Sequence, residues 1–459
     1  MDNRRRLFAA SCVALVANAM AFSICTDIMG DFETVFKLTK AEAGEAVSWG
    51  AIGAVAMLFL GGALLDFVGI GRALWMAFVS HLIGLSVVIF AQGFWTLAVG
   101  WLFLAIANGL VEAAVNPLAA AMYPDKKTHI LNVLHAWWPG GLIIGGLLAY
   151  ALTELLALAG ASAALQAHSW QIKMACVYVP VIFYAVLILG QKFPKTERVQ
   201  AGVSTGAMFR ESLRPMFLLL VCCMFLTASI ELGPNRWVGV FIKDIVGIRG
   251  ILMLVYTSGL MFVLRFFAGP LVKRISSMGL LIASSVLSGL GLLWLSYAAD
   301  KVTLFLAATV FGVGVTYFWP TMLGVTAERF PKGGAFLLGI VGAAGGLFLA
   351  YVTVPGVGWL HDRYTLGRLS PEVAKRIVVG GRVDEKKEAK LSGEQKEEVK
   401  EARRTAASVT FRYVAAMAPV LVVLFGAMIL WDRMKAGGGK GGQLEPAGNG
   451  RSSRAPPGG

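Results

Sequence analysis

Charged residues are scarce in this sequence. Only 15% of its 459 residues are charged, whereas 57% are hydrophobic and the mean hydropathy is +0.70. Soluble domains carry about a quarter charged residues, so the composition excludes an ordinary soluble protein. Several apolar stretches also exceed the roughly 20 residues that a helix needs to cross a bilayer. The sequence therefore predicts a polytopic membrane protein.

The sequence also lacks the residue groups that mark metal sites and active sites. Its five cysteines all lie in apolar segments without metal-ligand spacing, which predicts packing residues and no disulfide or zinc framework. No nucleophile, base and orienting group recur together, and no phosphate-binding loop is present. We therefore predict a protein that is not an enzyme, with no catalytic residue, no metal site and no cofactor.

The net charge of +14 does not indicate nucleic-acid binding, because the basic residues lie mostly in short turns between apolar segments. Such residues set membrane topology. Their inward bias predicts that both termini lie in the cytoplasm and that the protein resides in the cell (inner) membrane. Met1 to Phe22 resembles a secretory signal, but we interpret it as an uncleaved first span. The predicted spans are twelve: 7–29, 46–66, 73–91, 95–122, 128–157, 170–191, 215–236, 249–272, 278–298, 302–327, 334–360 and 409–431.

The spans divide into two similar halves. Gly62 to Asp66 and Gly269 to Lys273 end corresponding spans, and Gly109 with Pro117 has the spacing of Gly312 with Pro320. Gly145-Gly146 likewise resembles Gly345-Gly346, and members of each pair lie about two hundred residues apart. We predict an all-α membrane protein with twelve transmembrane helices in two pseudo-symmetric six-helix bundles, with the substrate near the midplane between them.

The domain boundaries follow from charge and composition. We predict an N-terminal bundle at 1–192, a cytoplasmic linker at 193–214 and a C-terminal bundle at 215–434. Within the second bundle, the highly charged segment 361–408 is predicted to lie outside as a small helical hairpin. Its helices would start at Ser370 and Ser392. Residues 435–459 are rich in Gly, Pro and Ser, which predicts a disordered tail.

One acidic residue stands in the middle of an apolar span. Glu112 is flanked at a spacing of four by Asn108 and Asn116, so the three side chains share one helix face. Glu112 lies roughly 16 Å from the end of its span, where an acid is a functional-site hypothesis by default. It would bind substrate or carry a proton, and the alternative is a structural hydrogen bond to another helix. Asn132 and His135 share a face of the next span.

Further candidates surround the predicted cavity. Trp138 would stack on a ligand ring or only pack. Glu231 precedes the helix-breaking Pro234 and, with Asn235, would form an outer wall of the site. Asp27 lies near the outer end of the first span. For each polar residue the alternative is a hydrogen bond that holds helices together.

The segment GALLDFVGIGR, Gly62 to Arg72, resembles the signature turn between the second and third helices of the major facilitator superfamily. The resemblance implies a conformational latch at the cytoplasmic face. Phe67 replaces a usual basic residue, and Lys273 stands where the second copy would have its acid. The latch set that we predict is Gly62, Asp66, Gly69, Arg72, Arg265 and Gly269.

Within that superfamily the chain resembles the fucose permease group of proton-coupled sugar symporters. The resemblance rests on VEAAVNPL in span four, on His135 and a glycine pair in span five, on Phe36 to Gly44, on Glu231 and on RFFAG. It implies that Glu112 couples protons or binds sugar. His135 stands where the group has a sugar-contacting Gln, Trp138 stands where it has an Asn, and Asp27 lies about one residue off the register of a second key acid.

These observations together predict a secondary active transporter that takes up a monosaccharide with protons by alternating access. Its partners would be the sugar, the proton and the lipid bilayer, and it would act as a monomer without nucleic acid. Two alternatives stay open. One is an exporter of drugs or organic acids with the same fold, and the other is a membrane sensor that does not transport.

Overall fold

The computed structural model describes residues 3–160, 162–246, 250–298 and 300–438, and they are mainly helical. The helices of the first half are α1 Asn3–Val35, α2 Lys40–Val68, α3 Ile70–Ile89, α4 Phe94–Met122, α5 Lys127–Leu158, α6 Ala163–Ala167, α7 Ser169–Ala175 and α8 Tyr178–Ile188. Two short helices follow in the linker, α9 Glu197–Gln200 and α10 Thr205–Ser212.

The second half is more interrupted. Its elements are α11 Pro215–Val246, α12 Gly250–Arg265, α13 Ala268–Tyr297, α14 Lys301–Val315, α15 Phe318–Arg329, α16 Gly334–Phe348, a π-helical turn Leu349–Thr353, α17 Val354–Leu366, α18 Pro371–Ile377, β1 Val378–Val379, β2 Arg382–Val383, α19 Glu385–Glu388, α20 Gly393–Ala415 and α21 Met417–Gly438. The π-helical turn joins α16 to α17, so that the two helices form one long element.

Eleven of the twelve predicted spans are long and apolar enough in the described residues to cross a membrane. The eighth span corresponds to α12, of which 16 residues are described. It packs between α5, α11 and α14. Span six consists of α7 with α8, and span ten consists of α14 with α15. The predicted twelve-helix, all-α fold is therefore confirmed.

The two halves repeat with a constant offset of 207 residues. Phe94 and Lys301 begin the fourth and tenth spans, and Lys127 and Gly334 begin the fifth and eleventh. The turns before the latter two are equivalent 3-10 turns, Pro124–Lys126 and Pro331–Gly333. This offset also relates the predicted pair Gly62 and Gly269.

The same offset corrects two of the sequence pairings. Gly109 and Pro117 lie 203 residues before Gly312 and Pro320, and Gly145 lies 200 before Gly345, so these pairs are displaced along their helices. Similar glycines recur in closely packed membrane helices at many positions, and short motifs therefore do not fix the register. Trp319 is the true equivalent of Glu112.

The same offset relates two unusual backbone conformations, one in the turn between spans two and three and the other in the turn between spans eight and nine. Gly69 has φ 88° and ψ 144°, and its equivalent Ser276 has φ 66° and ψ 166°. This region of backbone conformation is essentially restricted to glycine, so Ser276 is strained. Its hydroxyl accepts a hydrogen bond from the Gly279 amide at 3.2 Å and so caps the helix that follows.

The halves meet through α2 against α16 and through α5 against α12, α13 and α15. A Cβ at Gly62 would lie 2.8 Å from the carbonyl oxygen of Ala335, and one at Gly339 would lie 2.5 Å from that of Leu58. The absence of a side chain at these two positions lets the α2 and α16 backbones approach closely. We call the side of the molecule that carries α9, α10 and these contacts the linker face.

The charged segment after span eleven has a small core of its own, formed by Leu369, Val373, Ile377, Leu391, Val399 and Ala402. Ser370 and Ser392 cap α18 and α20 with their hydroxyls, as expected. The structure adds the β1–β2 hairpin, and α20 continues from this segment into the last span without a break at 408. Helix α21 runs to Gly438, so residues 435–438 are helical and not part of a disordered tail. The remaining tail residues, 439–459, lie outside the described part.

Candidate functional site

Three of the predicted polar side chains lie together between α4 and α5. Asn116 donates through Nδ2 to the Glu112 carboxylate at 3.0 Å, and its Oδ1 accepts from His135 Nε2 at 2.9 Å. The His135 nitrogen lies 3.9 Å from Glu112 Oε2. All three are buried, and within the described residues no lysine or arginine forms an ion pair with Glu112. This acid is therefore held by a neutral amide.

A second buried acid, Glu231 of α11, forms an ion pair with Arg265 at 3.2 Å. The pair lies at the break in the tenth span. Arg265 donates to the carbonyl oxygen of Thr316 at 2.7 Å, and the backbone amide of Trp319 donates to Glu231 at 3.2 Å. The guanidinium thus meets the C-terminal end of α14, and the carboxylate meets the N-terminal end of α15. Both charges complement the helix dipoles and satisfy backbone groups that the break leaves open.

The Arg265 guanidinium also connects the two halves. Its Nη1 donates to the carbonyl oxygen of His135 at 2.7 Å. Arg265 was predicted as part of a latch at the cytoplasmic face, and the structure places it with Glu231 and the His135 carbonyl. No local sequence pattern could predict this ion pair, because Arg265 and Glu231 are 34 residues apart on separate helices.

Asn108 belongs to a separate set of hydrogen bonds. Its Oδ1 accepts from Asn18 Nδ2 at 2.8 Å, and Asn18 Oδ1 lies 2.8 Å from His81 Nε2. His81 Nδ1 in turn lies 3.0 Å from the Tyr184 hydroxyl. Asn108 shares a helix face with Glu112, as predicted, but its hydrogen bond is to Asn18 of α1.

The remaining cavity candidates are dispersed. Asp27 forms an ion pair with the buried Lys173 of α7 at 2.6 Å, far along α1 from Asn18. Trp138 is partly buried against the core, beside the edge-to-face pair of Trp137 with Phe262. The side chain of Asn235 lies outside the described residues. The structure therefore does not bring Asp27 to Glu112.

The C-terminal end of α2 contains Asp66, the acid that we predicted for a latch. The side chain of Asp66 is shielded from solvent and accepts hydrogen bonds from the Thr196 hydroxyl and from Arg198 Nε, both in the linker. Arg198 also donates to the carbonyl oxygen of Val203 at 2.7 Å. Arg72, which was also predicted for the latch, is exposed. The sequence pattern missed the linker residues because they lie about 130 residues away from Asp66.

Two of the three predicted latch glycines, Gly62 and Gly269, contact the opposite half. Gly62 of α2 packs against α16, and a Cβ at Gly269 of α13 would lie 2.9 Å from the His129 ring of α5. Gly62 and Gly269, which are equivalent in the sequence repeat, therefore both pack against the other half. Gly69 provides the left-handed turn after α2 and meets nothing within 4 Å.

A further contact between halves was not predicted. Glu328 of α15 accepts from the hydroxyl of Thr128 at 2.6 Å and from its backbone amide at 3.3 Å. Ser277 donates to the same carboxylate at 3.1 Å. Because Thr128 lies in the first turn of α5, a carboxylate of one half caps a helix of the other. No local sequence pattern could predict this contact, because Thr128 and Glu328 lie 200 residues apart in the chain.

Comparison with known proteins decides the family. The sequence model of the Major Facilitator Superfamily matches residues 7–353. The chain belongs to the Major Facilitator Superfamily. It is a multi-pass membrane protein with the transporter fold of this superfamily. No curated protein sequence matches it.

Solved structures of other Major Facilitator Superfamily transporters share the fold at low identity. FucP, the fucose:proton symporter of E. coli, in its outward conformation is 16% identical with a TM-score of 0.66, and the match covers 90% of this chain and 98% of FucP. The proton:xylose symporter XylE bound to 6-bromo-6-deoxy-D-glucose is 14% identical with a TM-score of 0.68, covering 92% and 95%.

The human organic anion transporter MFSD10 is also similar, at 12% identity and a TM-score of 0.64 over 93% of this chain and 100% of MFSD10. At these low identities the likeness shows a shared fold alone. The substrates of these three proteins differ, so fold likeness by itself does not select among sugars and organic anions.

Proposed function

We propose that the protein is a proton-coupled importer of a monosaccharide. The observation that carries the proposal is the difference between its two buried acids. Glu231 has a guanidinium partner, whereas Glu112 meets an amide and an imidazole. Arg265 acts on Glu112 only from a distance, because its guanidinium is bonded to Glu231. A carboxylate without a directly bonded cation in the membrane interior is costly, and its protonated form is not. Glu112 is therefore the group suited to bind and release a proton during a transport cycle.

The groups around Glu112 suit a polyhydroxylated ligand. Asn116, His135 and Asn108 provide amide and imidazole groups that donate and accept hydrogen bonds. Trp138 lies one turn of α5 beyond His135 and offers an aromatic face. Protonated Glu112 would donate to a sugar hydroxyl, and its deprotonation would remove that donor and release the sugar.

Alternating access requires the two halves to separate at the linker face. The contacts that must part are those of Gly62 with α16, of Glu328 with Thr128 and of Arg265 with the His135 carbonyl. We propose that the linker face is cytoplasmic, because basic residues concentrate there, and that both termini lie on that side in the inner membrane. The structure would then be closed toward the cytoplasm, and Asp66 with Arg198 would hold the linker in place.

The experiment is uptake by the purified full-length protein in liposomes, across a panel of monosaccharides, with and without an inward proton gradient. We expect at least one sugar to accumulate above its external concentration only when the gradient is present. Accumulation that does not depend on the gradient would contradict proton coupling. A complete lack of sugar uptake, with uptake or export of organic anions by the same preparation, would contradict the sugar assignment.

An organic-anion carrier is the second candidate, since MFSD10 shares the fold. Such a carrier needs a cation for its substrate in the central spans. Arg265 occupies such a position, but Glu231 and two backbone carbonyls already use its guanidinium. The neutral ion pair favours an uncharged substrate, and the same liposome panel with organic acids added distinguishes the two.

A further inference from the structure

Four polar side chains form a continuous chain of hydrogen bonds inside the first half. Tyr184 of α8, His81 of α3, Asn18 of α1 and Asn108 of α4 are linked by distances of 3.0, 2.8 and 2.8 Å. Tyr184 and His81 are almost completely buried, Asn18 is buried, and Asn108 is half-buried. Each residue lies on a different helix, so the chain crosses the bundle from α8 to α4.

The hydrogen bonds of this chain have a direction. Asn18 donates through Nδ2 to Asn108, so its Oδ1 faces His81 as an acceptor. His81 Nε2 must then carry the proton. The ring is buried, its nitrogens face the Asn18 amide oxygen and the Tyr184 hydroxyl, and the Ala77 carbonyl of the same helix also lies beside it. None of these groups is an anion, so the imidazole is neutral. In a neutral imidazole the other nitrogen is an acceptor, and therefore the Tyr184 hydroxyl donates to Nδ1.

The direction of these hydrogen bonds determines which atom of the Asn108 amide, the oxygen or the nitrogen, is available to a ligand. Its oxygen is occupied by Asn18, whereas no hydrogen bond to its Nδ2 is present among the described residues. Asn108 shares a helix face with Glu112, one turn away, about 6 Å along α4. The amide therefore presents two N–H donors on the face that carries the acid.

We propose that Tyr184 and His81 are positioning residues that orient the Asn108 amide as a donor, and that the substrate group it meets is a hydrogen-bond acceptor oxygen. The inference rests on the proposed function, because it assigns a specificity to the same site. Without the Tyr184 hydroxyl, the histidine tautomer and both amides are free to reverse. Asn108 would then offer oxygen to the substrate as readily as nitrogen.

The first measurement is the tautomer of His81. Nitrogen-15 spectroscopy of histidine-labelled full-length protein, with the signal assigned by its loss in His81→Gln, reports which ring nitrogen carries the proton. We expect Nε2–H with Nδ1 unprotonated in the wild type. An Nδ1–H tautomer, or a protonated ring at neutral pH, would overturn the proposed direction whatever the substrate is.

The second measurement is sugar uptake in liposomes by two tyrosine variants. Tyr184→Phe removes the first donor of the chain. Tyr178→Phe is the matched control, because Tyr178 lies on the same helix and its hydroxyl bonds Ser86 of α3 at 2.7 Å. We expect Tyr184→Phe to raise KM by about three- to tenfold with little change in kcat, the size of one hydrogen bond. The control should leave KM unchanged, and equal effects of the two variants would show a purely structural role.

Two histidine variants and two substrate analogues complete the test. His81→Gln keeps one donor and one acceptor and should retain a KM near the wild type, whereas His81→Leu should match Tyr184→Phe. For the transported sugar, the deoxyfluoro analogue keeps an acceptor and the aminodeoxy analogue adds donors. We expect the fluoro analogue to be preferred at one ring position and the preference to be lost in Tyr184→Phe. If the wild type takes up no sugar, the proposed function fails, and the tautomer result alone decides the direction of the chain.

Discussion

The fourth and tenth spans occupy equivalent positions in the two halves, but the buried acid associated with each span has different partners. Span four is the continuous helix α4, and its Glu112 is held by the neutral side chains of Asn116 and His135. Span ten is broken between α14 and α15, and the equivalent position is Trp319. The acid near that break is Glu231 of α11, and it is fully engaged by Arg265 and by the helix ends.

The difference indicates that the buried acids of the two halves have different roles. A buried ion pair that also caps two helix ends has a fixed charge, because loss of one partner leaves the other unpaired. Glu112 bonds the Asn116 amide directly and Arg265 acts on it only from a distance, so it can change protonation without breaking an ion pair. We therefore expect Glu231 to stabilise the second half and Glu112 to act in transport, and the following predictions compare the two halves.

The largest effect is expected for Arg265→Met. This variant removes the guanidinium that pairs with the buried Glu231 and that donates to the Thr316 carbonyl, at a cost of about 3–5 kcal/mol in the free energy of unfolding. Thermal unfolding of the detergent-purified protein measures the loss. The double variant Arg265→Met with Glu231→Gln should recover part of it, and a single variant as stable as the wild type would contradict the structural role of the pair.

Glu112→Gln should have the opposite profile. Glutamine keeps the shape and accepts from Asn116, so we expect the free energy of unfolding to change by less than about 1 kcal/mol. Uphill uptake driven by a proton gradient should be lost, whereas exchange of substrate across the membrane should persist. Glu231→Gln is the matched variant in the other half, and it should destabilise the protein more than Glu112→Gln does. Normal uphill uptake by Glu112→Gln would exclude its coupling role.

The latch glycines allow a smaller comparison. A methyl group at Gly62 meets the backbone oxygen of Ala335 at 2.8 Å, whereas one at Gly269 meets the side chain of His129 at 2.9 Å. A side chain moves more easily than a helix backbone. We expect Gly62→Ala to shift the linker face toward its open state by about 1–3 kcal/mol, and Gly269→Ala by less.

Distances between spin labels placed on α2 and α16 measure that shift. Gly44→Ala serves as the control, because Gly44 lies on α2 as well and a Cβ there meets nothing within 4 Å. Equal effects at Gly62 and Gly44 would mean that helix propensity, and not contact between halves, governs the result.

The smallest effect concerns the two left-handed turns. Gly69 accepts φ 88° without strain, whereas Ser276 adopts φ 66° at a cost. We expect Ser276→Gly to raise the free energy of unfolding by about 1 kcal/mol, less the small loss of its cap, and Gly69→Ser to lower it by a similar amount. Paired thermal unfolding curves test this, and changes of the same sign in both variants would be inconsistent with it.

Part of the site follows from helical spacing alone. Glu112 and Asn116 are four residues apart in one helix, and the structure joins them as the spacing predicts. The meeting of His135 with Asn116 required only that adjacent spans pack. Asp27 shows the limit, because its partner Lys173 lies 146 residues further along the chain. Asp66 shows the same limit, since it is paired with Arg198 and not with the nearby Arg72.

By itself, the sequence determined the number of spans, their order and the presence of an acid in the middle of the fourth span. Hydropathy and helical periodicity are local properties, and local segments of about 20 residues contain them completely. Only the tertiary structure decided which acid has a cation, at which residue the tenth span breaks, and which end of Asn108 is occupied. Those outcomes depend on distances of about 3 Å between helices that are far apart in the chain, and no local pattern contains such distances.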